Sequence, residues 1–308
     1  MPEDEYVWLL HESILSAEEL ERVVRAFASL GASEVRLTGG EPLLRPELED
    51  VVARASRVPG VRDVALTTNG VLFAKRAEGL KRAGLSRVTF SVDTLVPERA
   101  ASMSRTTRLD DVLDGVRAAR AAGFRGTKIN AVVVRGRNDD ELGALVAFAR
   151  GHDAEIRFIE YMDVGGATRW SSRDVVTREE MLRALGGPDP IEDGGDSSPA
   201  TRYRAKDGTM IGVIASTTAP FCARCDRARV TADGVYFDCL YADAGIDLRT
   251  PLRDGAHPAR VAEIVRAAWE ERTARGAEER RAMAERSALI PLSRLRADPH
   301  REMHTRGG

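Results

Sequence analysis

At 308 residues with 31% charged side chains and a formal charge of −2, the chain can bury a large core and carries no global field toward nucleic acid or a membrane surface. No apolar run approaches the length of a bilayer span, and the acidic start MPEDEY is no secretory signal, so a cytoplasmic protein is expected.

In chain order, Ser16 with Glu19 three residues on reads as a capping box opening the helix SAEELERVVRAFASL, which Gly31 ends. EVRLT (34–38) is a short strand running into Gly39-Gly40-Glu41-Pro42. The alternation continues with a helix near 46–57, a strand at 63–67, a helix around 73–83, a strand at 87–92, a helix near 109–122, a strand at 127–134, a helix at 139–150 and a strand at 155–160. Such β–α repeats with short linkers demand a parallel sheet, doubly wound or rolled into a barrel. Residues 186–200 read as surface linker, TRYRA and TMIGVIAS around Lys206-Asp207-Gly208 as a hairpin, and 257–285 as helix with a solvated, charge-rich end.

The strand ends decide between the two architectures. Thr38-Gly39-Gly40-Glu41, Thr67-Thr68-Asn69-Gly70, Ser91-Val92-Asp93 and Met162-Asp163 all sit where a strand stops, while Lys128 and Asn130 share one face within the fourth strand. Barrel enzymes gather their chemistry at those ends. No G-x-G-x-x-G follows the first strand, which weakens a dinucleotide-binding alternative.

All three cysteines of the chain, Cys222, Cys225 and Cys239, fall within FCARCDRARVTADGVYFDCL. A C-x₂-C turn can put two thiolates on one side, and Asp233-Gly234 reads as a hairpin turn folding Cys239 back toward them. Three thiolates are one short of a closed zinc site, whereas an iron–sulfur cluster held by three keeps one iron open. A zinc site completed by a histidine is the other metal reading. Arg227 and Arg229 alternate after the second cysteine, and two cations beside an open metal position suit an anionic or acceptor-rich ligand.

RLTGGEPLLR, LTTNG, FSVDTL, EIRFIEYMDVG, FCARCDRARVTADG, CLYADAGIDLR and the terminal Gly-Gly resemble the molybdenum-cofactor biosynthesis protein A family, the GTP 3′,8-cyclases of the radical SAM superfamily. The resemblance implies a partial (β/α)₆ barrel over 1–185, with a C-terminal region over 186–308 that carries an auxiliary cluster and binds GTP. It implies S-adenosylmethionine as co-substrate and GTP as substrate, cyclised by 5′-deoxyadenosyl radical chemistry to (8S)-3′,8-cyclo-7,8-dihydroguanosine 5′-triphosphate. Cys222, Cys225 and Cys239 match the ligands of the auxiliary 4Fe–4S cluster, whose open iron takes the guanine. Arg36, Thr67, Lys128, Arg227, Ala228 and Arg229 match GTP contacts, and Gly40, Ser91 and Met162 match S-adenosylmethionine contacts. Gly307 and Gly308 match a tail that reaches the active site. An electron donor, the downstream cyclic pyranopterin monophosphate synthase and a homodimer are the implied partners.

The superfamily's C-x₃-C-x₂-C is absent from these 308 residues. In the family Met-Pro follows its third cysteine, and this sequence begins Met1-Pro2, so the first barrel strand and the radical-generating cluster are expected to be missing through a late start or truncation. The 308-residue polypeptide is then expected to bind at most one cluster and to form no 5′-deoxyadenosine. Other readings are a different radical SAM enzyme with an auxiliary cluster, or a non-catalytic GTP- or metal-binding derivative.

Overall fold

The structure is a computed structural model that describes residues 7–164, 167, 169–191, 198–255, 257–283, 285, 286, 289, 290 and 292–307; Met1, Pro2 and Gly308 lie outside the described residues. In chain order the first elements are α1 (Ala17–Ser29), β1 (Glu34–Leu37), α2 (Leu48–Ser56), β2 (Asp63–Thr68), α3 (Phe73–Ala83), β3 (Arg87–Ser91), α4 (Pro97–Met103), α5 (Leu109–Ala121), β4 (Lys128–Val133), α6 (Leu142–Gly151) and β5 (Glu155–Glu160). The capping box at the start of α1 is formed: the Glu19 amide donates to Ser16 Oγ at 3.2 Å and the Ser16 amide to Glu19 Oε2 at 2.8 Å.

Then come α7 (Arg178–Ala184), β6 (Asp189–Pro190), β7 (Thr201–Arg204) and β8 (Met210–Ile214). β1 to β5 pair in order and in parallel, β8 adds in parallel to β5, and β7 and β6 complete an antiparallel margin. The sheet does not close among the described residues, so the barrel is partial, with β1 at one edge and β6 at the other. The expected hairpin is β7–β8, and it ties residues beyond 186 into the same sheet as β1 to β5.

Period-two alternation sorts each parallel strand into two chemistries. On β4, Ile129, Ala131 and Val133 are fully buried while Lys128, Asn130 and Val132 are half-buried on the opposite face. The apolar face packs on α2, α3, α5 and α6 through Val52, Phe73, Leu80, Val116 and Leu145 to make the main core. Phe73 meets Phe90 of β3 edge-on at 5.0 Å, a geometry aromatic pairs favour. The polar face is left to line a cavity.

Past β8 the chain forms a three-stranded antiparallel sheet, β9 (Arg229–Val230), β10 (Val235–Phe237) and β11 (Ile246–Asp247), followed by α8 (Arg249–Arg253), α9 (Pro258–Glu270), α10 (Gly276–Arg281), α11 (Leu292–Ala297) and α12 (Met303–Arg306). A second core joins Leu15, Val23 and Ala26 at the start of the chain to Tyr236, Leu248, Leu252 and Val265 near its end. α1 therefore packs on α8, α9 and β10 beside the cysteine hairpin.

The structure departs from the sequence reading in several places. α4 and α7 were not anticipated, although Pro97 in the first turn of α4 and the Thr177–Glu180 capping box of α7 are readable signals. The predicted helix over 257–285 breaks between α9 and α10, where Gly276 lies so close to Tyr241 that a Cβ would sit 2.3 Å from the tyrosine Cβ. Within the predicted linker 186–200, β6 pairs with β7, while 192–197 lie outside the described residues.

Candidate functional site

A cavity of about 2780 Å³ opens on the polar face of the sheet and runs to the cysteine hairpin. Arg36, Gly40, Thr67, Ser91, Lys128, Met162, Cys222, Cys225, Arg227, Ala228, Arg229, Cys239 and Gly307 all line it. Gly308, the remaining expected site residue, lies outside the described residues.

The floor is cationic, and its cations fall into two kinds. Arg87 pairs with Asp63 and, at 2.8 Å, with Glu34; Arg157 pairs with Glu155 at 2.6 Å. Gly212 on β8 makes room for Arg157, whose Cγ would lie 3.0 Å from a Cβ there. Arg36 and Lys128 pair with no carboxylate among the described residues. Arg36 donates instead to Thr67 Oγ1 at 3.1 Å and Thr89 Oγ1 at 3.3 Å. Burial, then the neighbouring Arg87 and Arg157, pulls Arg36 down to about 10; burial and Arg157 pull Lys128 down to about 8. Both cations are short of counter-charge, and an anion placed beside them would raise both values. The Asn130 Oδ1 beside them is buried without a hydrogen-bond partner.

At the carboxyl ends of the strands, Glu41 fastens two loops together. It accepts from Thr68 Oγ1 at 2.7 Å, from the Asn69 amide at 2.8 Å and from the Leu43 amide at 3.0 Å, while burial pushes its pKa up. Gly40 beside it is closely approached by the Trp8 ring, which a Cβ there would meet at 3.1 Å and push aside. Met162 is half-buried and precedes Asp163, which is 0% exposed. Arg286 and Arg280 reach the Asp163 carboxylate at 2.7 Å, Tyr241 Oη donates to it at 3.3 Å, and against burial the two arginines hold it below the usual range. This node joins the end of β5 to the chain just past Cys239.

The Asp233-Gly234 turn is formed, with Gly234 at φ +90°, and β9 and β10 pair around it. Only Arg229 belongs to the strand; Arg227 precedes it, stacked 4.9 Å over the Phe221 ring with Nη1 4.0 Å from Cys225 Sγ. Arg229 has a buried Nε with no hydrogen-bond partner, and burial and Arg227 lower its pKa, opposed by Cys225 and Cys239. Burial raises Cys222, whereas the Arg227 amide, Arg272 and Arg227 together outweigh burial and lower Cys225. All three cysteines are free and half-buried. Among the described residues no three Cys, His, Asp or Glu side chains are grouped as ligands of a metal ion. A polynuclear cluster spreads its thiolates over several irons. A thiolate set lacking a fourth ligand, flanked by an unpaired guanidinium, has the chemistry for such a cluster with an acceptor-rich ligand.

The C-terminal segment closes over this hairpin. His300 Nε2 and Asp233 Oδ2 are 2.8 Å apart, and the buried Arg306 donates to the carbonyls of His300 at 2.6 Å and Leu240 at 2.8 Å. Gly307, at φ +74°, then lies so near the end of β1 that a Cβ would be 2.5 Å from Thr38 Cγ2. Sequence reading missed Arg157, Arg272 and Arg306 in this site. Arg157 was findable, because it shares a strand face with Glu155 while Ile156 and Phe158 turn to the core; the other two carry no local signal.

Residues 8–149 match the Radical SAM superfamily model, and residues 154–278 match the Molybdenum Cofactor Synthesis C model. The sheet and cavity are therefore those of a radical SAM protein, and the cysteine hairpin belongs to the second matched region. A GTP 3′,8-cyclase 1 of Mycobacterium tuberculosis (strain CDC 1551 / Oshkosh) is 52% identical over 100% of this chain and 88% of its own length. The GTP 3′,8-cyclase of Aquifex aeolicus (strain VF5) is 40% identical over 92% of this chain and 87% of its own, and that of Pelotomaculum thermopropionicum is 42% identical over 86% and 83%. The chain belongs to the GTP 3′,8-cyclase family. No helix among the described residues is long and apolar enough to cross a membrane.

Proposed function

We propose that GTP binds across this cavity, with its triphosphate on Arg36 and Lys128 beside Thr67 and its guanine toward Cys222, Cys225 and Cys239, where Arg227, Ala228 and Arg229 hold it. The observation that carries the reading is the division of the cations. Arg87 and Arg157 have carboxylates, while Arg36, Lys128 and Arg229 have none among the described residues, and all three unpaired charges face one space. Their lowered pKa values mark cations that lack compensation until an anion arrives. Phosphate oxygens supply it, and the planar guanidinium of Arg229 offers a fork of N–H donors to a purine's acceptors.

The three cysteines would hold an auxiliary 4Fe–4S cluster, which supplies an open iron for an acceptor atom of the base. Gly40, Ser91 and Met162 would receive S-adenosylmethionine, Gly40 through backbone that no side chain shields. The 308 residues contain three cysteines in one hairpin, so a second, radical-generating cluster has no cysteine ligands among them. The residues present bind the nucleotide, orient its base against the hairpin and, through the Gly307 tail, narrow the cavity against water. The product would pass to cyclic pyranopterin monophosphate synthase in the cytoplasm.

Anaerobic reconstitution with iron and sulfide, followed by GTP titration watched by the cluster's electron paramagnetic resonance signal, tests the reading. A signal that shifts on GTP addition supports it; a loaded cluster indifferent to GTP refutes the placement of the base.

A further inference from the structure

One cation outside the proposed substrate set reaches the cysteine loop. Arg272 follows α9, and its Nη1 donates to the Cys225 carbonyl at 2.7 Å across 47 residues of sequence. Its guanidinium lies 4.5 Å over the Trp269 ring, and no carboxylate pairs with it among the described residues. Just beyond, the chain bends, and the backbone amides of Ala277 and Glu278 at the start of α10 face the Cys222 sulfur.

That bend carries a cost. A continuous helix through 271–275 would satisfy its own backbone, whereas ending α9 and restarting α10 leaves terminal groups to find other partners. Gly276 also has to approach the Tyr241 Cβ more closely than any side chain permits. What the bend gains is contact with two of the three cysteines: Arg272 on Cys225 and the amides on Cys222.

We propose that Arg272 is a positioning residue for the auxiliary cluster, fixing the Cys225 backbone and setting an unpaired positive charge beside its thiolate so that the reduced cluster is favoured. The proposal rests on the cluster reading given above. A cluster's potential follows its net charge, the hydrogen bonds to its sulfurs and its exposure. Adding one electron makes the cluster more negative, and a nearby uncompensated guanidinium stabilises that state over the oxidised one.

The test uses the 308-residue chain, Arg272→Lys and Arg272→Gln, each reconstituted anaerobically. Iron and sulfide are assayed first, and each protein is then titrated with dithionite, the source of the electron, while its paramagnetic signal is followed. The expected result is full iron in all three, a lower midpoint in Arg272→Gln, and a wild-type midpoint in Arg272→Lys, which keeps the charge. A loaded Arg272→Gln protein with the wild-type midpoint overturns the role of Arg272 and leaves the cluster reading standing. Should Arg272→Gln fail to load, a loaded Arg272→Lys with the wild-type midpoint supports the proposal. Failure of both variants to load, with unchanged circular dichroism, reduces Arg272 to scaffolding and overturns it. Wild-type protein that takes up no iron overturns the cluster reading and this proposal together.

Discussion

Lys128 gives the sharpest test of the cationic floor. Its pKa falls from 10.5 to about 8 because burial and then Arg157 disfavour its charge, so in the GTP-free protein it loses its proton as the pH passes through about 8. A triphosphate laid against it reverses the balance and restores the proton. Between the free and bound values the complex holds a proton that the free protein lacks, so binding takes up to one proton and affinity falls by up to about tenfold per pH unit. Below that window this residue confers no pH dependence. The same shift acts with the opposite sign on stability: between about 8 and 10.5 the unfolded chain binds a proton that the folded, GTP-free chain does not, so stability rises with pH.

Replacing the ammonium removes a charge-assisted hydrogen bond, about 1.5–3 kcal/mol, or roughly 10- to 150-fold in Kd. Lys128→Gln should therefore bind GTP that much more weakly at neutral pH and lose the slope above pH ~8. Lys128→Arg keeps a charge that does not titrate there and should bind with a flat profile. Isothermal titration with GTP across this range, in two buffers of different ionisation enthalpy, reads both the affinity and the protons taken up. A flat wild-type profile, or a slope that survives in both variants, would refute the placement of the triphosphate on Lys128.

Asp163→Ala leaves Arg280 and Arg286 facing each other without their carboxylate; removing one partner of a buried ion pair costs about 3–5 kcal/mol, and thermal unfolding should show the loss. Gly307→Val puts a β-branched residue at φ +74° with its Cβ 2.5 Å from Thr38 Cγ2; the tail should lift off β1, read as faster proteolysis of the C-terminus at unchanged midpoint of global unfolding. Cys239→Ser should lower the iron content of the reconstituted chain from about four per chain toward zero, and a variant that retains all of it would place the cluster elsewhere.

The parallel strands and their helices were legible because each rests on local chemistry. Ser16 and Glu19 cap α1 whatever else folds around them, and the alternation of Lys128, Ile129, Asn130 and Ala131 divides β4 into two faces before any neighbour is known. The cysteine hairpin was legible for the same reason: Asp233-Gly234 is a turn by its own backbone preference. Arg272 and Arg306 were not, since each is defined by a carbonyl 47 or 66 residues away and sits in a stretch that reads as solvated charge or as tail. The break at 271–275 has no proline and no side-chain cap; Gly276 is its one local signal, and the Tyr241 contact that demands a glycine there is one that propensity cannot see.

The distribution of counter-charges separates scaffolding from binding on a single sheet face. Every buried ion costs desolvation, which a carboxylate partner offsets. Arg87, Arg157 and the Asp163 node have that compensation within the fold: Arg87 reaches Asp63 on the neighbouring β2, Arg157 pairs with Glu155 along its own strand, and the Asp163 node joins the end of β5 to the C-terminal region. Had Arg36, Lys128 and Arg229 been needed only for folding, neutral side chains of similar length would have done as well at lower cost. Under the proposed binding mode a nucleotide that reaches from the sheet to the hairpin would give Arg36 and Lys128 an anion and Arg229 an acceptor. A nucleoside triphosphate offers both, whereas a free phosphate could satisfy the floor and would leave the buried Arg229 Nε without an acceptor. Inorganic triphosphate should therefore compete with GTP for the Lys128 end alone, leaving the cluster's response to the base unchanged until the nucleotide itself is displaced.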